Sequence, residues 1–144
     1  MTPDWKWLGV RNLPYRGQRL TWFVVRLPEL KIYSNFQFHQ STPYIAYDDD
    51  ISDCLQISGH AAVGLALRQG ENLVIFVGNT TEGMVTTAVR IHAGLSGSYR
   101  KRAFMSLRND WIDGDLISAQ ELQRGIGVQL ERKGFEVIEL QQEV

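Results

Sequence analysis

The sequence predicts an α+β fold: a curved, mostly antiparallel sheet of about six to eight strands packed on one C-terminal helix, with a final strand after it. Three observations predict it. Apolar and polar residues alternate at period two through much of residues 19–93. One strong helix-start signal occurs, Ser118-Ala119-Gln120-Glu121, and it comes late. No linker, low-complexity tract or internal repeat divides the chain, so residues 1–144 are expected to form a single domain.

The strands follow in order. Residues 19–27 read as a strand, turned by Pro28-Glu29. Residues 31–39 alternate cleanly: Ile32, Phe36 and Phe38 share one face with Ser34, and Tyr33, Asn35, Gln37 and His39 share the other. That is the pattern of a half-buried antiparallel strand. Residues 44–47 read as a short strand ended by Asp48-Asp49-Asp50. Residues 60–68, 72–78 and 84–93 then read as a three-strand meander. Its first member sets Val63, Leu65 and Leu67 against Ala62, Gly64 and Ala66, a face small enough to let a helix approach closely. Its second is apolar on both faces and therefore central. Its third turns Val85, Val89 and Ile91 inward and Thr86, Arg90 and His92 outward. Ten of the 15 aromatic residues lie within residues 1–47. They fit an aromatic-packed, β-rich core or, alternatively, an aromatic-lined binding surface.

For the helix, Ser118 and Glu121 form a capping box in which each can satisfy an exposed amide of the first turn. Asp113 and Asp115 just before the start, and Arg132 and Lys133 at the end, suit the helix dipole. Leu122, Ile126 and Leu130 form a buried stripe at i, i+4, i+8, and Gly134 suits a left-handed stop. Gly125 and Gly127 each cost such a helix roughly 1 kcal/mol against Ala. Residues 135–140 alternate again and read as the last strand.

Bulk properties narrow the function. The formal net charge is −1, so any attraction to nucleic acid must be local. The single cysteine, Cys54, permits no intrachain disulfide and suits a reducing, cytoplasmic location. The N-terminal residues lack a signal-peptide pattern, and no apolar run reaches the roughly 18 residues of a membrane span. A soluble cytoplasmic protein with no membrane association is expected.

The most distinctive segment is residues 99–108. Four of its ten residues, Arg100, Lys101, Arg102 and Arg108, are basic and none is acidic. Read as a strand, it places Arg100, Arg102, Ser106 and Arg108 on one face, with Phe104 among them; Tyr99, Ala103, Met105 and Leu107 take the other, with Lys101 as a charged exception. Read as a helix, it gives a looser apolar side of Tyr99, Ala103, Phe104 and Leu107, and the strand separates charge from apolar residues better. The flexible run Gly94-Leu95-Ser96-Gly97-Ser98 joins it to Arg90 and His92. Arg90, His92, Arg100, Lys101, Arg102 and Arg108 are therefore the candidate anion- or nucleic-acid-binding residues, with Tyr99 or Phe104 to stack on a base. Two acidic stretches, Asp48-Asp49-Asp50-Ile51-Ser52-Asp53 and residues 109–115, could quench this charge.

Other motifs fall short. Gly78 to Gly83 has phosphate-loop spacing but is followed by Met84-Val85 instead of Lys and Ser/Thr, so a turn is the better reading. Gly94-Leu95-Ser96-Gly97 has the spacing of a backbone clamp but follows a strand. The acidic run lacks EF-hand spacing, and His39, His60 and His92 form no metal-ligand pattern. Acidic neighbours blunt Cys54 as a nucleophile, and no serine elbow is present. No cofactor or metal is expected. The expected function is a non-enzymatic interaction protein of inhibitor, immunity or adaptor type, with a protein as partner. Nucleic-acid binding through residues 99–108 is one alternative; a small enzyme using His92, Arg90 and an acidic-loop carboxylate is another.

Overall fold

The computed structural model describes residues 6–15, 18–26, 32–38, 49–59, 62–92, 94–106, 108 and 110–143; for residues up to 50, and for Ser52 and Gln69, it describes the backbone alone. The chain divides into two compact units, Met1–Thr42 and Pro43–Val144. The first holds β1 (Lys6–Tyr15), β2 (Gln18–Arg26) and β3 (Ile32–Phe38). They form an antiparallel sheet in the order β1-β2-β3, with a bulge between Trp7 and Gly9. The expected strands over 19–27 and 31–39 are thus present.

The second unit begins with β4 (Asp49–Asp50), a 3₁₀ turn at Ser52–Cys54 and β5 (Leu55–Ile57). Next come β6 (Ala62–Gln69), β7 (Asn72–Asn79), β8 (Val85–Ile91), β9 (Ser98–Met105) and β10 (Asp110–Ser118). Helix α1 (Ala119–Arg124), β11 (Ile126–Leu130) and β12 (Phe135–Gln142) complete it. All pairings are antiparallel. One sheet runs β10-β9-β12-β7-β6-β4 and the other β11-β8-β5. No helix among the described residues is long and apolar enough to cross a membrane.

The antiparallel strands with one capped helix match the coarse expectation, but a single curved sheet resting on a helix is not what forms. Ser118 does cap α1, accepting from the Glu121 amide at 3.1 Å. The helix then stops after six residues, because Gly125 adopts φ 117° and the chain turns extended. Ile126, Val128 and Leu130 are buried while Gly127 and Gln129 are exposed, which is period two. The three-strand meander is also corrected. β6 and β7 pair, but β8 pairs with β11 and β5, and the second neighbour of β7 is β12. The segment between β7 and β8 therefore crosses from one sheet to the other instead of closing a hairpin.

The core lies between these two sheets. Ala62, Ala66, Leu73, Ile75, Val77, Tyr99, Ala103, Ile138 and Leu140 of the larger sheet meet Val89, Ile91, Ile126, Val128 and Leu130 of the smaller. The small face of β6 is used, though by a strand: a Cβ at Gly64 would stand 2.6 Å from Ile57 Cδ1 and 2.8 Å from Leu55 Cδ2. Bare backbone at Gly64 lets β5 pack onto β6. β7 and β12 are buried on both faces at the sheet centre, Phe76 and Val137 included. The β11–β12 connection corrects one more expectation. Lys133, not Gly134, carries the positive φ, at 50°. Gly134 is needed for space, since a Cβ there would lie 2.7 Å from Ser106 Oγ.

Candidate functional site

β9 is a strand with the faces expected of it. Its register against β12 aligns Arg102 with Glu139 and Arg100 with Gln141 on one face, and Ala103 with Ile138 on the core face. Each outward arginine meets a carboxylate. Arg100 Nε donates to Glu143 at 2.6 Å. Arg102 stands 3.7 Å from Glu139 and 3.9 Å from Asp113. The Arg102 guanidinium carbon also lies 4.4 Å from the Trp111 ring centroid. Trp111 in turn packs edge-on to Phe104, which stacks on Phe135. Asp113 belongs to the acidic stretch after the basic segment, so the quenching read from the sequence occurs there. The other acidic stretch is elsewhere: β4 lies at the far edge of the sheet, with β12, β7 and β6 between it and β9.

The remaining candidates divide. Tyr99 is 0% exposed, with its hydroxyl unpartnered among the described residues. It is a core residue and its ring cannot receive a base in this fold. Lys101 lies along Gly114 of the β10 bulge, its side chain 3.5 Å from where a Cβ would stand. Arg108 is exposed in the turn after β9, its amide donating to Met105. Arg90 and His92 are exposed on the strand β8 and just past it, in the other sheet from β9. His39, His60 and Asp48 lie outside the described residues.

Two residues escaped the sequence reading. Trp111 was hidden in an acidic run that forms β10, where a bulge between Asp113 and Leu116 breaks the alternation. Arg124 falls inside the span of the expected helix, whereas it ends a short one. Its neighbour Gly125 is so close to Arg90 that a Cβ would stand 3.2 Å from Arg90 Cγ and 3.4 Å from Nε.

Two carboxyls are perturbed. Glu82 is held below the usual range, chiefly by its hydrogen bond from Lys133 and also by the nearby Arg132, against a smaller opposing effect of desolvation. This pair belongs to a structural knot: Asn79 donates to the carbonyls of Gly83 and Glu131 and accepts from Thr81, tying the β7–β8 crossing to the β11–β12 turn. Glu136 is 3% exposed on β12, between Val77 and Met105. Burial pushes its carboxyl up to about 7, with Lys101 acting weakly in the other direction. A groove of about 310 Å³ runs between Leu95, Ser96 and Gly97 and the start of α1, at Ser118, Gln120 and Gln123. Among the described residues no group of three or more His, Cys, Asp or Glu is placed to hold a metal ion. Comparison with known protein families, curated proteins and solved structures finds no match for this chain.

Proposed function

We propose that this chain is a non-enzymatic interaction protein that binds a protein partner through the exposed face of β9 and β10. The observation that carries the reading is the Arg102–Trp111 stack, flanked by Asp113 and Glu139. Arginine and tryptophan anchors dominate protein–protein binding energy, and mixed charge at the rim sets orientation. Leu116, 50% exposed on the same strand as Trp111, adds apolar contact area. A nucleic-acid surface would instead offer cations free to replace counterions along a phosphate backbone. Here the two outward arginines of β9 are already paired with carboxylates, which disfavours that alternative.

A photo-crosslinking residue at Leu116, introduced in the native cell, tests this. The reading expects one discrete protein adduct, lost on Arg102→Glu and absent when the same group replaces Gln129 on the other sheet. Adducts that are identical from both positions, or that survive Arg102→Glu unchanged, contradict it.

A further inference from the structure

We infer that Arg90, His92 and Arg124 form a second, separate site that binds a single phosphate dianion, free or as a monoester. Arg90 and His92 sit two residues apart, and both are exposed. The register of β11 on β8 pairs Ile126 with Val89, which brings the end of α1 beside Arg90. The Arg90 side chain lies over Gly125, which leaves room for its stem, and Arg124 is the residue before that glycine. Arg124 is exposed in the last turn of α1. The sequence pairing of Arg90 and His92 thus gains a third basic residue from a segment 34 residues away.

The ionic surroundings differ from those of β9. Arg68, Arg100, Arg102, Arg132 and Lys133 all have carboxylate partners. Among the described residues Arg90, His92 and Arg124 form no ion pair. Two carboxylates are near in sequence or register. Glu121, one turn before Arg124, is bound to the Ser118 hydroxyl. Asp53 precedes Cys54, whose carbonyl accepts from the His92 amide at 2.9 Å, and it is exposed, with no ion pair among the described residues. Two guanidinium forks can each offer paired donors to phosphate oxygens, and the imidazole adds another.

The ligand is compact, not an extended polyanion. The neighbours of Arg90 on the exposed face are Gln56, Ala88 and Gly127, and beyond them Thr86 and Gln129. None is charged, so no row of cations continues the site along a backbone. A dianion also suits two guanidinium forks and an imidazole better than does the single charge of a phosphodiester.

The test is titration of the ¹⁵N-labelled protein with inorganic phosphate, with O-phosphoserine and with a single-stranded oligonucleotide lacking terminal phosphates, at constant ionic strength. Saturable shifts at His92, Arg124 and Gly125 are expected with the first two. Tighter binding of O-phosphoserine identifies a monoester as the ligand; equal binding identifies the free anion. Arg90→Ala and Arg124→Ala, each checked for fold by circular dichroism, should weaken phosphate roughly tenfold or more. Arg124→Lys should retain part of the affinity. Arg102→Glu should leave it unchanged, which separates this site from the β9–β10 surface. No saturable shift, or an affinity that survives Arg90→Ala/Arg124→Ala, overturns the inference; so does an oligonucleotide that binds these residues more tightly than phosphate does.

Discussion

Arg102 lies over the ring of Trp111, its guanidinium carbon 4.4 Å from the centroid, although the two residues sit on different strands. The β9–β10 register pairs Asp113 with Arg102 and Trp111 with Phe104, so one arginine faces both a ring and a carboxylate. The stack fixes a long side chain that would otherwise lose rotamer freedom on binding, which preorganises the surface.

The stack should be measurable as a coupling. A double-mutant cycle of Arg102→Ala and Trp111→Ala, read by urea unfolding, is expected to give about 0.5–1 kcal/mol, because Arg102 is 52% exposed. Most of it should persist in high salt, whereas the exposed Arg100–Glu143 pair should contribute less and be screened. A coupling of zero would mean that the ring does not hold Arg102.

Glu136 should make stability fall with rising pH. Its folded value near 7 stands above the ordinary 4.5, so between these limits the folded state keeps a proton that the unfolded chain has lost. The contribution is fully present below about pH 4.5 and is lost as pH rises through 7. At 1.36 kcal/mol per pH unit it amounts to roughly 3 kcal/mol at most. Glu136→Gln should flatten that fall, leaving the variant more stable than the parent at pH 8. Unfolding curves for both proteins from pH 4 to 9 check this; parallel profiles would contradict it.

Residues 126–130 provide a test of strand against helix. A Cβ at Gly127 meets nothing within 4 Å. Gly127→Val should therefore be more stable than Gly127→Ala, by a few tenths of a kcal/mol up to about 1, since valine suits a strand and alanine a helix. The reverse order would restore the long helix. Gly64→Ala, by contrast, should cost about 1–3 kcal/mol by driving β5 off β6.

That comparison also shows how far the sequence could be read. The buried set Leu122, Ile126 and Leu130 recurs every four residues, which satisfies both a helical stripe and period two. Gly125 and Gly127 were the discriminating signal, and they mark the end of α1 and an exposed strand position. The strands of 62–91 were legible because alternation is local. Their partners were not: period two says that β8 is a strand, but β11, the strand it pairs with, lay inside the expected helix. The faces of β9 followed from its charge pattern. The carboxylates that neutralise it did not, because Asp113, Glu139 and Glu143 arrive through two different strand pairings and the chain end.

Two buried polar side chains should respond oppositely to deletion. Asn79 is fully buried and bonded to Gly83, Glu131 and Thr81. Asn79→Ala should cost about 2–4 kcal/mol, because it orphans several buried groups. Tyr99→Phe removes a buried hydroxyl that has no partner among the described residues, and should be neutral or stabilising by about 1 kcal/mol. Thermal unfolding of both variants decides; a destabilised Tyr99→Phe would show that a bound water serves the hydroxyl.

The central claim is that β9 presents arginines already neutralised for a protein partner rather than free for phosphate. The direct measurement is fluorescence-anisotropy binding of labelled single- and double-stranded oligonucleotides across a salt series, with the parent protein and Arg100→Ala/Arg102→Ala. The account predicts no saturable binding at physiological salt, with the two proteins indistinguishable. Tight binding whose logarithm falls steeply with log salt, and which is lost in the double variant, would contradict it.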